Sequence, residues 1–254
     1  MKTHLLSIIA ISLFFSSCKD ETTENDTVED STKVEKGSLE DIIEQHIEGN
    51  LKILGTEDYS FKIYKEYLDG DDKMDAIITV NRLQFALDDA AKSDNSAKRA
   101  EYGFMGNYNF IFYYDGGLDK ISPQIAIPST PQAELKVSFE NVSSDAYKDI
   151  LIDFRVRNAS YKDFYTVNNH TPRRIFQWKN FDGLGSTESE AYTFKIDEGA
   201  VGLQKDILVM KANIVQPTDK VDLFTFEPEL TETNELVHRF FYNDQMGKYV
   251  TLKK

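Results

Sequence analysis

The 254-residue sequence predicts a mainly β protein: repeated antiparallel β-meander units with a short N-terminal helix. Three observations carry this. Short strings rich in β-branched and aromatic residues recur along the chain, and Gly-, Asn- and Asp-rich turns punctuate them. One strand start recurs in three versions: Met74-Asp75-Ala76-Ile77-Ile78, Lys148-Asp149-Ile150-Leu151-Ile152 and Lys205-Asp206-Ile207-Leu208-Val209. Helical spacing, by contrast, is clear only near residue 40.

The first segment, residues 1–17, reads as a signal peptide. Its apolar stretch from Leu5 to Phe15 is about eleven residues long, roughly half of what spans a bilayer and the length of a signal-peptide core. Phe15-Ser16-Ser17-Cys18 resembles the lipobox of bacterial lipoproteins, with Phe15 in place of the usual leucine. The resemblance implies that Cys18 carries lipid and that the membrane is a partner through it. Cys18 is the only cysteine, so disulfides, thiolate zinc sites and a cysteine nucleophile are excluded from the rest of the chain. Stable anchoring then rests on more than one acyl chain.

Residues 18–36 follow as an acidic tether whose only apolar side chains beyond Cys18 are Val28 and Val34. Such a composition cannot offset chain entropy and is expected to be disordered, spanning roughly 25 Å as a coil. Lys19-Asp20-Glu21 resembles the surface-export signal of Bacteroidetes lipoproteins, which implies an outer-membrane protein at the cell surface. Asp26-Thr27-Val28 and Asp30-Ser31-Thr32 resemble the O-glycosylation acceptor of the same group and imply sugars on Thr27 and Ser31.

The β-rich domain occupies 37–254. Ser38 with Asp41 forms a capping signal, and Leu39, Ile42, Ile43 and Ile47 follow at helical spacing, so a helix is expected over about 39–52. Strands are expected at Ile77–Val80, Phe110–Tyr114, Leu135–Phe139, Ile150–Val156 and Phe240–Tyr242, with turns at Asp115-Gly116-Gly117, Asp182-Gly183 and Asn243-Asp244. Ala86–Glu101 fits either a second short helix or a loop. The recurring strand start divides the domain into units of about 56–130, 131–195 and 196–254.

Leu68-Asp69-Gly70-Asp71-Asp72-Lys73-Met74-Asp75 resembles the calcium loop of FG-GAP/VCBS-type repeats, and Asn141–Asp149 resembles the same frame with substitutions. The resemblance implies Ca2+ as cofactor, with oxygen ligands at Tyr67, Asp69, Asp71 and Asp75, and more weakly at Asn141, Ser143, Asp145 and Asp149. Calcium takes six to eight oxygens, and alternate carboxylates on a tight glycine turn converge on one ion. The competing reading is a plain Asp-Gly turn whose acids cap its own amides.

A net charge of −14 excludes nucleic acid as a partner and disfavours an anionic lipid surface, while suiting divalent cations or cationic partners. His46, His170 and His238 lie far apart and read as surface or capping residues. Glu188 and Glu190 are the nearest approach to a hydrolytic carboxylate pair. Arg155 and Arg157 alternate on a strand, and Arg173 and Trp178 on a later strand would complete a basic, aromatic ligand patch. The alternative for these residues is internal ion pairing around a core tryptophan. Two functions remain open: a non-catalytic binding or assembly module for an envelope protein or glycan, and an envelope glycan or peptidoglycan hydrolase.

Overall fold

A computed structural model describes residues 37–95, 106–200, 202–218 and 220–251; Cys18, Thr27, Ser31, the expected signal peptide and the tether lie outside them, as do residues 96–101. The described residues are mainly β, in two antiparallel sheets with two helices.

Helix α1 (Leu39–Leu51) begins as its sequence dictates. The Ser38 hydroxyl accepts the Asp41 N–H at 3.2 Å, and the Asp41 carboxylate accepts the Ser38 N–H at 2.8 Å. Its apolar stripe of Ile43, Ile47 and Leu51 is buried on Ile78, Val80, Phe110 and Phe112. Those residues belong to β2 (Asp75–Asn81) and β3 (Asn109–Asp115), central strands of a five-stranded sheet completed by β1 (Ser60–Glu66), β4 (Lys120–Ile121) and β5 (Ile125–Ala126). A second helix, α2 (Leu83–Lys92), follows β2 directly, settling the two readings of the 86–92 stretch in favour of helix.

The opposite face of β2 and β3 presents Ile77, Ile111 and Tyr113 to a second sheet. That sheet has eight strands in unbroken sequence order: β6 (Lys136–Glu140), β7 (Asp149–Val156), β8 (Ala159–Asn168), β9 (Thr171–Asp182), β10 (Glu190–Asp197), β11 (Asp206–Ile214), β12 (Leu230–Asn243) and β13 (Lys248–Val250). The residue 195/196 division expected from the sequence pattern falls within β10. Ile150, Ile152, Phe154, Tyr165 and Val167 face the first sheet, so β2 is buried on both sides and reads as a continuous apolar run.

On its other face the large sheet gathers an aromatic core. Phe176 packs edge-on against Phe164 at 5.2 Å and Phe240 at 4.9 Å, with Tyr249 at 6.2 Å. Register shifts between β8 and β9 and between β11 and β12 bend the strands around this cluster. Among the described residues no helix is long and apolar enough to cross a membrane.

Candidate metal centre at the loop ends

The strands β2, β7 and β11 begin with Asp75, Asp149 and Asp206, exposed by only 1%, 0% and 1%. A buried carboxylate must be met by donors, and each of these takes backbone N–H groups from the loop that precedes it. Asp75 accepts from Leu68 at 3.0 Å, Asp149 from Val142 at 3.1 Å and Ser143 at 2.5 Å, and Asp206 from Ala200 at 3.1 Å. The loops stack on one another: the Lys148 N–H reaches the Tyr67 carbonyl at 3.0 Å, and the Lys205 N–H reaches the Val142 carbonyl at 3.2 Å.

In the first loop the acids divide their duties. Asp71 N–H donates to Asp69 Oδ1 at 2.9 Å and Lys73 N–H to Asp71 Oδ1 at 2.7 Å, so both carboxylates cap their own turn. Asp75 turns beneath the loop and also accepts the Gly116 N–H at 2.9 Å. It therefore ties the first loop to the β3–β4 turn. Gly116 is required there, since a Cβ would stand 2.1 Å from the Met74 carbonyl oxygen.

The consequence is a convergence that the sequence did not announce. Asp69, Asp115 and His170 each bring a ligand atom within 4.8 Å of the others, whereas Asp71 and Asp75 are not part of that group. His170 Nδ1 lies 2.5 Å from Asp115 Oδ2, while Asp115 Oδ1 accepts the Leu118 N–H at 2.8 Å. Asp69 Oδ2 accepts the Tyr113 hydroxyl at 3.1 Å. Burial, reinforced by Asp75, Asp69 and Asp115, pushes the Tyr113 phenol far upward, so it keeps its proton as the donor. Burial likewise raises the Asp75 carboxyl, against the pull of its two amide donors. His170 is placed by the two-residue β8–β9 turn, where Asn169 and His170 both have positive φ (49° and 59°).

The second loop is closed on itself. The Ser143 hydroxyl and amide both donate to Asp149, Asn141 donates to the carbonyls of Ser144 and Tyr147, and Asp145 pairs with Lys205 at 2.9 Å. At the third, Asp206 meets Arg239 at 2.7 Å. No Lys or Arg among the described residues pairs with Asp69, Asp71, Asp75 or Asp115.

Between the stacked loops and the β8–β9 and β12–β13 turns lies an open cleft of about 600 Å3, with Asp69, Asp71, Tyr147, Asn168, His170 and Asp244 in its walls. Tyr67, Met74, Leu118, Leu203 and Met246 stand exposed on loops of the same end, Leu203 fully so (100%).

The basic and aromatic residues proposed from sequence do not gather into one exposed patch. Arg155 is buried and donates to the carbonyls of Leu223, Arg157 and Phe226 while covering the Phe181 ring at 4.6 Å. Arg157 lies past the end of β7 with φ 53°, off the alternating face. Arg173 is exposed on β9, and Trp178 packs among Phe176, Tyr192, His238 and Phe240. Glu190 is bound by Lys179 and by the Tyr192 hydroxyl, and these hydrogen bonds hold its carboxyl below the ordinary range.

No family model, curated protein or solved structure matches the chain. The chemistry of this site therefore rests on its own residues.

Proposed function

We propose that this protein is an outer-membrane lipoprotein, anchored through Cys18 and displayed at the cell surface. Its β domain is a non-catalytic module that binds a protein or glycan of the envelope. The observation that carries the reading is the loop end: an open polar cleft of about 600 Å3, with exposed apolar side chains on loops of the same end. A concave polar surface with exposed apolar groups on the loops of its end is what contact sites present. The hydrolase alternative gains nothing from Glu190, because a general acid needs a carboxyl raised toward neutrality and Lys179 pulls this one down.

The test is photo-cross-linking in intact cells. A photoreactive side chain at Asn168 or Gln204, on the cleft, should give adducts of discrete mass, and one at exposed Leu54, on the loop after α1, should give none. In a Cys18→Ser background the chain should leave the membrane fraction and the adducts should vanish. Equal labelling from all three positions, or none from the cleft, would refute the binding role.

A further inference from the structure

We infer that Asp69, Asp115 and His170 form a binding site for a divalent first-row transition metal, its remaining coordination positions facing the loop-end cleft. The inference stands apart from the cleft's role toward a partner, because the metal alone tests it.

The donor set decides the class of ion. Calcium and magnesium are held by oxygens, whereas imidazole nitrogen suits zinc, iron, nickel and copper. Two carboxylates and one imidazole from three separate turns give three protein ligands and leave room for water or a partner's group, the pattern of an open rather than a closed structural site.

The geometry is close to assembled. Ligands on such an ion stand about 2.0–2.2 Å from it, so neighbouring ligand atoms are about 3 Å apart. His170 Nδ1 and Asp115 Oδ2 lie 2.5 Å apart, and ligand atoms of all three groups lie within 4.8 Å of one another. A bound ion would take the place of the His170–Asp115 hydrogen bond, with both groups as ligands.

Charge supplies an independent argument. Asp75 and Asp115 are both buried and Asp69 is close by, yet no Lys or Arg among the described residues answers them. Of the other two strand-starting aspartates, Asp206 has Arg239 beside it, while Asp149 is met by the Ser143 hydroxyl and two amides, with Lys205 on Asp145 of the same loop. The first loop end has only His170, whose side chain is 55% exposed. Around the ligands stands a set of orienting groups: the Tyr113 hydroxyl on Asp69, the Leu118 N–H on Asp115, and Asp75 fastening the residues next to both ligands, Leu68 and Gly116.

The experiment titrates the purified, metal-stripped chain with Co2+, Zn2+ and Ca2+. Co2+ should saturate at one ion per chain with the visible absorption of a nitrogen- and oxygen-ligated ion, and Zn2+ should displace it. Millimolar Ca2+ should not compete. His170→Asn keeps a side chain tolerant of positive φ and should weaken Zn2+ binding at least about tenfold. Asp69→Asn should do the same, and Asp145→Asn, in the second loop, should leave the affinity unchanged. Absence of saturable binding, Zn2+ affinity untouched in His170→Asn, or displacement of Co2+ by Ca2+ would each overturn the site. Zinc binding with no cleft adducts in cells would retain the metal and discard the binding module.

Discussion

The first and third loop ends begin from the same device and finish differently. Asp75 and Asp206 are both buried at the first residue of a strand and both accept an amide from the preceding loop. Asp206 then meets Arg239, which also reaches Asp197 at 2.5 Å, so its negative charge is answered within the chain. Asp75 meets two amides and no base. The difference shows what a buried acid does in each place. Beside Arg239 it joins β11 to β12; beside Leu68 and Gly116 it joins two turns that carry Asp69 and Asp115. An Arg239 ion pair answers the charge of the third end, whereas the carboxylates of the first are met by amides, the Tyr113 hydroxyl and His170.

The sharpest way to break the comparison is to remove each acid. Asp75→Ala strands two amides and frees the β3–β4 turn, so it should cost roughly 2–5 kcal/mol in urea unfolding. Asp206→Ala strands one amide while Arg239 keeps Asp197, and about 1–2 kcal/mol is expected. Equal costs would mean that the clamp between turns adds nothing.

A smaller effect should come from the basic partners. Arg239→Met should cost about 1–2 kcal/mol, less than a fully buried pair because its side chain is partly in water. Lys205→Met should fall within about 1 kcal/mol, since Asp145 is 82% exposed. A larger loss at Lys205 would show that the second loop depends on its cation as the third does.

The smallest effect is one of slope. Asp163 is a buried acid away from these loops, with Arg174, Gln177 and Tyr165 as donors. Burial outweighs them and raises its carboxyl above the ordinary range. The folded chain therefore holds this proton more tightly than the unfolded chain. The associated stability is full below the unfolded value and is lost as pH rises through the raised one. Asp163→Asn removes that dependence, so the stability of the variant relative to the parent should climb as pH rises across that window, measured by unfolding at several pH values. A flat difference would mean that Arg174 has cancelled the burial.

Much of the fold was legible because it is written locally. The Ser38–Asp41 box and the stripe of Ile43 and Ile47 specify α1, and runs of β-branched and aromatic residues specify β2, β3 and β7. The three strand-starting aspartates were visible as a recurring string. What escaped was any role set by packing between turns. Asp115 looks like a turn residue and His170 like a cap, and across the 55 positions that separate them no signal says that their turns meet. Arg155 alternates correctly for a strand, but its partners are carbonyls of the 222–226 segment, whose path no nearby pattern encodes.

The order of the large sheet leaves ties that are not between neighbours, Tyr249 among them. Each strand from β7 to β13 pairs with its predecessor, so the ladders of the sheet close over short lengths of chain. Tyr249 is different: its hydroxyl donates to the Lys205 carbonyl at 2.8 Å and reaches the Val142 carbonyl at 3.3 Å, 107 residues back. A chain that has not yet received its last few residues can complete every ladder up to β12 and the Lys205–Val142 backbone bond, and still lack this hydroxyl between the second and third loops. Tyr249 thus makes the loop end a register of completeness, its last tie set only when the final strand arrives.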